Sequence, residues 1–527
     1  MISFTDRLAI VIWNYNTNTA VDLPDMPGQV IRVYPASGGV AMLPLTPEND
    51  YTPTIIFCGG SDMDDYAWGN FSFPFINTWE YPASKDCQRI TPEPTDGSAP
   101  AYIKDDDMLE GRSMGQFIIL PDGKLLMVNG ALNGTAGYAQ STNLVHSYAD
   151  MPYGESLANG PVLTPALYDP EAPPGQRWSR EGFQASKIPR LYHSSAMLLP
   201  DGSVFIAGSN PNVDVNLTTI YPTTYDAEIF YPPYFSATHR PQPTGVPSTL
   251  SYGGAYFNIT IPASSYSGPA NEAAEKTFVS VLRGGFTTHA MNMGQRFLKL
   301  RNTYTVQSDG SIILHVSQMP PKPEVFQPGP AFIYVVVNGV PSNGTYAIVG
   351  SGRIETQPKL PVADLPPSQG LAGAKGTAGG STSGADDKKD DKGAATSSGG
   401  VSAGTIIGAA VGGVAVVAVV GAIIGICLAR RRRAAARAAT ANSSFPMSST
   451  GAAVGAAGGA AAGVYGRDVR GSDTSAFVPL AHGNQSHAWN ASTSSFVAPY
   501  KDDGASNASR PSYDPYARDQ MPPARPY

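Results

Sequence analysis

The chain has 527 residues and a formal net charge of −7 at pH 7, with 35 Lys and Arg against 42 Asp and Glu. This balance gives no basic surface of the kind that phosphate backbones require, so we expect no nucleic-acid partner. The composition is uneven. The first 355 or so residues are rich in Tyr, Phe, Val and Ile, whereas the remainder is mostly Ala, Gly, Ser and Thr, so only the first part can bury a large core.

A loose repeat runs through the first part of the chain. Its copies begin at Arg32, Arg112 and Arg190, and each contains an apolar segment, a turn with Leu-Pro, and a second apolar segment that ends near a glycine. Pro-Asp-Gly in two of the turns favours a tight hairpin. We interpret each copy as one blade and predict a partial kelch-type β-propeller over residues 1–236.

The starts of the repeats are farther apart in the sequence than the length of a kelch blade, which is about 50 residues. We assign the additional residues to long loops such as 92–110 and 147–166. Residues 8–28 are expected to form the outer half of a further blade. A closed propeller needs at least about four blades. Together with a start that lacks the pattern of a secretory signal, this predicts that an N-terminal part is missing.

Alternating apolar and polar residues replace the repeat after Arg240. The segments predict a small Ig-like antiparallel β-sandwich over residues 237–356 and read AYFNITIP, KTFVSVLR, SIILHVSQ and AFIYVVVNG. Residues 357–403 are predicted to be a disordered stalk, and residues 429–527 a disordered tail, because neither composition can bury a core.

Residues 404–428 form an apolar block without charge, long enough for one transmembrane helix. A buried core helix is the alternative, but Arg430–Arg433 follow at once, and basic residues stay on the cytoplasmic side of a membrane. The sequence therefore predicts a single-pass plasma-membrane protein with an extracellular globular part and a cytoplasmic tail.

An extracellular location agrees with two further features of the first part. Cys58 and Cys87 are candidates for one disulfide bond, which an oxidising compartment permits. The sequons for N-glycosylation lie at Asn70, Asn133, Asn216, Asn258 and Asn343.

Two places carry residues suited to metal chemistry. Tyr192 and His193 open the third repeat, just before a predicted inner strand, and His289 follows Gly-Gly-Phe-Thr-Thr in a predicted loop of the sandwich. Imidazoles with a phenolate suit a tetragonal Cu(II) centre. Spacing alone does not define a metal, however, and on spacing alone a hydrogen bond from His193 to a loop carbonyl is the favoured interpretation.

The segments RLYHSSAMLLPDG and GGFTTHAMNMGQR resemble the two copper-ligand segments of the galactose oxidase-like copper radical oxidases. RVYPASGGVAMLPL and WEYPASKDCQRITPEPTDG resemble glyoxal oxidases in particular. The resemblance runs from about Leu8 to Ile354. It implies a seven-bladed propeller whose channel receives a loop of the sandwich, with Tyr192 as axial copper ligand and base, and with His193 and His289 as equatorial ligands.

The implied activity is the oxidation of small aldehydes to carboxylic acids while O2 is reduced to H2O2. The family also uses a radical on a second tyrosine crosslinked to a cysteine, and this sequence lacks both of those segments. Cys58 is the alternative source of the sulfur, but its segment matches a later position in the family, so we favour a disulfide or a free thiol. The chain as printed is therefore expected to bind copper weakly and not to complete a two-electron oxidation.

Two other functions compete with this interpretation. A non-catalytic kelch-like module at the cell surface would use the same propeller to bind a carbohydrate or protein. A copper oxidase of primary alcohols or galactose would share the copper ligands. The sequence indicates no particular protein partner.

Overall fold

The computed structural model describes residues 8–64, 67 and 75–372, together with the backbone of strands Ile2–Phe4 and Phe477–Leu480. The described part is built from β-strands, and its one α-helix is Ala270–Glu275. The all-β prediction is confirmed. Short 3-10 turns occur at Pro27–Gln29, Pro47–Asn49, Thr78–Glu80, Tyr148–Asp150, Pro233–Ser236 and Ala263–Ser265.

Three four-stranded antiparallel sheets follow one another in the first part of the chain. Sheet 1 contains Gly39–Met42, Ile55–Cys58, Cys87–Ile90 and Tyr102–Lys104. Sheet 2 contains Gln116–Ile119, Leu125–Val128, Ala166–Tyr168 and Trp178–Ser179. Sheet 3 contains Ser195–Leu198, Val204–Ala207, Ala227–Phe230 and Phe477–Leu480. A smaller sheet of Ile2–Phe4, Ile10–Asn14 and Thr19–Asp22 precedes them.

The four-stranded meander of each sheet is the arrangement of a propeller blade. Its two inner strands come from the two apolar segments of one repeat, as the Pro-Asp-Gly turns of sheets 2 and 3 indicate. In sheet 2, Phe117 pairs with Met127 and Ile119 pairs with Leu125 across the hairpin. Closure into a seven-bladed ring stays a prediction.

One predicted loop is a strand. Within residues 147–166, Pro152–Pro161 pairs with Ala131–Tyr138 in a two-stranded ribbon. The partner strand needs a glycine for this close contact: a Cβ atom on Gly134 would lie 2.1 Å from the carbonyl oxygen of Leu157.

The second part of the chain packs as a β-sandwich around one large apolar core. One layer has the strand order Thr249–Leu250, Thr345–Val349, Gly329–Val337, Thr277–Arg283 and Arg296–Leu300, with Val340–Pro341 at its side. The other layer contains Phe257–Ile261, Ile312–Val316 and Asn302–Val306. Two small pairs complete it: Tyr252–Gly254 with Lys359–Val362, and Phe286–Thr288 with Met291–Met293.

The sandwich departs from the predicted purely antiparallel pairing. Thr249–Leu250 and Tyr252–Gly254 pair in parallel with their partner strands. The second pairing also corrects the stalk prediction for its first residues, because Lys359–Val362 is a strand and Gln357 is buried. A Cβ on Gly253 would lie 1.9 Å from the carbonyl oxygen of Leu360. The two strands of this pair can therefore approach each other only because position 253 has no side chain.

The predicted disordered tail needs a similar correction. Phe477–Leu480 pairs with Ala227–Phe230 as the fourth strand of sheet 3. Composition could not indicate this strand, since its partner lies far away in the sequence. The remaining residues of the predicted stalk and tail lie outside the described part.

The structure does not support the predicted single-pass membrane localisation. Among the described residues, no helix has both the length and the apolar character that crossing a membrane requires. The α-helix Ala270–Glu275 has 6 residues, whereas a span needs about 20. Residues 404–428, on which the prediction rested, lie outside the described part.

Each repeat begins with an arginine whose side chain is buried. Arg32, Arg112 and Arg190 are 1%, 1% and 3% exposed, respectively. Each guanidinium donates to the carbonyl of the residue directly after the second strand of its repeat, namely Gly59, Asn129 and Gly208.

A carboxylate completes the environment of each buried guanidinium. Arg32 pairs with Asp86, Arg112 with Glu110, and Arg190 with Glu228 at 2.8 Å. Buried charges are tolerated only when they are paired and hydrogen-bonded. The repeat arginines therefore fix the start of each sheet against its own second strand.

Cys58 and Cys87 are joined by a disulfide bond inside sheet 1. They are direct partners on neighbouring antiparallel strands, and both side chains are fully buried. Neither sulfur is therefore available to crosslink a tyrosine.

We predict that replacing Arg190 by Met destabilises the fold strongly. Glu228, 2% exposed, would keep a buried charge without its partner, which costs about 3–5 kcal/mol of the free energy of unfolding. Urea denaturation measures this loss. Lys322→Met is the matched control, because the Lys322–Asp50 pair is largely solvent-exposed and contributes at most about 1 kcal/mol. Equal losses in the two variants would contradict the structural role of Arg190.

Candidate copper site

The segment that carries Tyr192 and His193 is a tight turn at the entry of sheet 3. Ser194 N–H donates to the carbonyl of Leu191 at 3.2 Å, and Leu191 N–H donates to Ser209 Oγ at 3.0 Å. His193 has a left-handed backbone with φ of 65°. Such a conformation is uncommon for a residue other than glycine and persists where surrounding bonds fix it.

Asn210 holds both candidate ligands through its backbone. Its N–H donates to the carbonyl of Tyr192 at 2.7 Å, and its carbonyl lies 2.9 Å from His193 Nδ1. This carbonyl can only accept, so Nδ1 carries the proton and the Nε2 lone pair is left for a ligand. The hydrogen bond that offered a simple alternative to metal binding thus orients the ring for it, since metal-bound histidines commonly donate their other N–H to a carbonyl.

His289 lies at the tip of a hairpin that extends from the sandwich. Phe286–Thr288 and Met291–Met293 are its strands, and His289 and Ala290 form the two-residue turn with φ of 49° and 65°. Two consecutive left-handed residues are the requirement of a type I′ turn. Thr288 Oγ1 lies 2.7 Å from His289 Nδ1, so Nε2 is the ring nitrogen of His289 that is left for a ligand.

Side-chain amides fasten this hairpin to the first part of the chain. Gln295 Nε2 donates to the carbonyl of Phe117 at 2.8 Å, and Gln295 Oε1 accepts the N–H of Ile119 at 3.0 Å. Asn292 Nδ2 donates to Gln295 Oε1 at 3.2 Å, and Thr287 Oγ1 donates to the carbonyl of Ala196 at 2.8 Å. The hairpin is therefore bonded to inner strands of both sheet 2 and sheet 3.

The structure brings all three predicted ligands together. The ring centroids are 3.7 Å apart for Tyr192 and His193, 5.9 Å for Tyr192 and His289, and 5.6 Å for the two histidines. Tyr192 is 7% exposed, whereas both histidines are exposed. The site is thus open on the imidazole side and closed behind the phenol.

Two further tyrosines, which the sequence did not single out, flank the site. Tyr34 has its ring centroid 6.2 Å from those of both Tyr192 and His289, and Tyr138 lies 6.1 Å from Tyr192. They are 51% and 37% exposed, so they line the solvent side of the site.

The repeat pattern in the sequence identifies one of these two tyrosines, Tyr34. Tyr34 and Tyr192 each stand two positions after the arginine of their repeat, and Met114 occupies the same position in the second copy. In a propeller, equivalent positions of the blades surround a common axis. Tyr138 follows no such rule, because it ends the strand of an irregular ribbon.

Burial raises the pKa of Tyr192, and its hydrogen bond with the Tyr34 side chain raises that pKa further. The phenol therefore stays protonated in the metal-free protein, and a bound cation is what would favour the phenolate. The described residues contain no group of three or more His, Cys, Asp or Glu side chains that could hold a metal. One phenol and two imidazoles, each with its second nitrogen already bonded, nevertheless make a donor set that fits Cu(II).

The predicted glycosylation sites fall in different surroundings. Asn258 and Asn343 are exposed, Asn133 and Asn216 are partly exposed, and Asn70 lies outside the described residues. Asn258 Oδ1 is 2.8 Å from His315 Nδ1. Their modification stays a prediction.

Comparisons with known proteins find similar domains. Residues 1–234 match the model of the glyoxal oxidase N-terminus, and residues 240–349 match that of the galactose oxidase-like early set domain. The two consecutive parts of the chain are thus similar to the two corresponding domains of glyoxal oxidases and galactose oxidase-like proteins. This confirms the resemblance, and the resemblance supports an oxidoreductase.

Relatives of this family cover the same part of the chain. Aldehyde oxidase GLOX1 of Arabidopsis thaliana is 32% identical over 354 residues, which are 65% of this chain and 52% of that protein. Aldehyde oxidase GLOX of Vitis pseudoreticulata is 32% identical over 338 residues, or 63% and 57%. Galactose oxidase of Gibberella zeae is 29% identical over 238 residues, or 44% and 28%. The chain thus spans about half the length of the two plant aldehyde oxidases.

A solved structure of a fungal alcohol oxidase of the AA5 family, in complex with copper, is also similar. It is 17% identical, with a TM-score of 0.42, and the match covers 66% of this chain and 71% of that one.

We predict that Gly285→Ala disturbs the hairpin, whereas Gly284→Ala does not. A Cβ on Gly285 would lie 1.7 Å from Asn292 Oδ1, so the amide must move and lose its buried hydrogen bonds, which costs about 1–3 kcal/mol. A Cβ on Gly284 has no atom within 4 Å. Amide hydrogen exchange over residues 286–293 should accelerate in Gly285→Ala alone. Unchanged exchange in that variant would show that Asn292 does not hold the hairpin.

Proposed function

We propose that Tyr192, His193 and His289 bind copper and that the protein oxidises small aldehydes to carboxylic acids, with reduction of O2 to H2O2. The reaction balances as one aldehyde, one water and one O2 giving one acid and one H2O2. The observation that carries the proposal is the hairpin, which places His289 beside a Tyr-His pair that lies about 100 residues earlier in the sequence.

Each ligand has a defined part in this proposal. His193 and His289 present their Nε2 atoms, because Nδ1 of each ring faces a neighbouring oxygen atom. Tyr192 accepts the proton that the substrate loses, and its phenolate form requires the nearby cation. Copper, when bound, supplies one-electron redox chemistry and a position for substrate and O2.

The surroundings favour a small substrate. The exposed side of the site is bounded by the aromatic rings of Tyr34 and Tyr138. The Tyr34 side chain hydrogen-bonds Tyr192, which orients the phenol whose oxygen must meet both metal and substrate. A short carbonyl compound or its hydrate fits beside these hydroxyl groups.

The second redox group of the family has no counterpart among the described cysteines, since Cys58 and Cys87 are bonded to each other. We therefore expect the chain to bind copper, and we propose that turnover requires a second redox group that these two cysteines do not provide.

We predict that His289→Ala weakens copper binding by at least about 100-fold, more than the loss of an outer hydrogen-bond partner causes. Isothermal titration of the metal-free chain with Cu(II) measures the affinity. His239→Ala is the control, because His239 is an exposed histidine bonded to Thr238 and Ser267 on the sandwich surface. If His239→Ala reduced the affinity as much as His289→Ala, copper would not be bound at the proposed site.

The substrate class is tested by H2O2 release from the protein purified from its source. We expect release with methylglyoxal and much slower release with galactose. Release with galactose alone would favour an alcohol oxidase, and the absence of release with every aldehyde and alcohol would favour a binding module.

A further inference from the structure

A second cavity, of about 460 Å³, lies between sheets 1 and 2 and the sandwich. Its size is in the range of small-molecule binding sites. None of the three candidate copper ligands lines it. It is a separate feature of the molecule, and it needs its own explanation.

One wall of the cavity is the Pro121-Asp122-Gly123 turn of the second repeat. Asp122 Oδ1 accepts the backbone N–H of Lys124 at 3.3 Å, and no side-chain donor among the described residues bonds its carboxyl group. Burial raises the pKa of Asp122 to about 6. The residue nevertheless keeps partial exposure and lines the cavity, so its carboxyl group can accept a further hydrogen bond from a ligand there.

The third repeat provides an internal comparison. Its Pro-Asp-Gly turn contains Asp201, whose Oδ1 accepts both the N–H of Ser203 at 2.9 Å and the Ser203 hydroxyl at 2.6 Å. In the second repeat Lys124 takes the place of that serine, and its ammonium group bonds Asp169 at 3.0 Å instead. Asp122 therefore lacks the hydroxyl group that satisfies its counterpart.

The walls are held rigidly by the sandwich. Ser280 Oγ donates to the carbonyl of Pro121 at 2.9 Å, which fixes the turn from behind. Leu45 N–H donates to the carbonyl of Phe297 at 3.1 Å, and Lys299 N–H donates to the carbonyl of Leu45 at 2.8 Å, which fixes the opposite wall. The cavity is thus formed before any ligand arrives.

The charges of the lining residues select the ligand. Arg89, Lys124 and Lys299 are balanced by Asp122, Asp169 and Glu171, so neither an anion nor a cation is favoured. Threonine hydroxyl groups and the rings of Phe278 and Phe297 provide the rest of the surface. A neutral ligand with several hydroxyl groups and apolar C–H faces matches this lining.

We propose that this cavity binds a neutral saccharide, with a sugar hydroxyl group donating to the carboxyl group of Asp122. The hydroxyl group takes the position that Ser203 fills beside Asp201. The site is independent of the copper site and of the reaction proposed there.

Saturation-transfer NMR on the full chain tests this proposal with glucose, galactose, maltose and cellobiose as probes. We expect at least one of them to receive saturation. Asp122→Asn should weaken its binding by about tenfold, because a charged hydrogen-bond acceptor is replaced by a neutral amide oxygen that accepts more weakly. Asp201→Asn is the matched control and should bind as the unchanged chain does. Thermal unfolding checks that both variants are folded.

His289→Ala should also keep the saccharide bound, which separates the cavity from the copper site. The proposal is overturned if no probe receives saturation, or if a folded Asp122→Asn variant binds as tightly as the unchanged chain. Binding that is lost in His289→Ala and kept in Asp122→Asn would place the sugar at the copper site and contradict the proposal as well.

Discussion

The pairing of a buried arginine with a carboxylate at the start of each repeat is the interaction on which the rest of the structure depends. In the third repeat, Arg190 bonds Glu228 and the carbonyl of Gly208, and so it joins all three of the strands that its own repeat contributes to sheet 3. The next three residues turn tightly against Ser209 and Asn210. The phenol and the first imidazole are therefore oriented by the same bonds that hold the sheet together.

A second constraint comes from the other half of the chain. The His289 hairpin makes limited apolar contact: Ala290 at its tip is buried in a small cluster with Tyr192, whereas Phe286 at its base is 69% exposed. Amide groups of Asn292 and Gln295 instead bond the carbonyl of Phe117, on the inner strand of sheet 2. Such bonds are directional, so they fix the height and angle of the hairpin tip, as apolar packing alone would not.

Much of the fold follows from local patterns in the sequence. The strands around the Pro-Asp-Gly turns and the alternating segments after Arg240 form as predicted, because period and turn chemistry act over a few residues. Phe477–Leu480 and Lys359–Val362 were missed because each pairs with a strand more than 100 residues away. Pairing over such distances leaves no local trace.

The candidate site also combines features that local sequence patterns predict with features that depend on long-range contacts. Tyr192, His193 and His289 could be named from two segments, but their convergence depends on the amide bonds to Phe117, which no pattern reveals. Tyr34 could have been found, since it shares its repeat position with Tyr192. Asp122 could be noticed only by comparing bonds in two turns of identical sequence.

X-ray absorption at the copper K edge of the Cu(II)-loaded chain tests the proposed copper site most directly. Copper bound there should show the multiple scattering of the imidazole rings of His193 and His289, with a phenolate oxygen that disappears in Tyr192→Phe. A spectrum without imidazole scattering, or one unchanged by both Tyr192→Phe and His289→Ala, would contradict the proposed site.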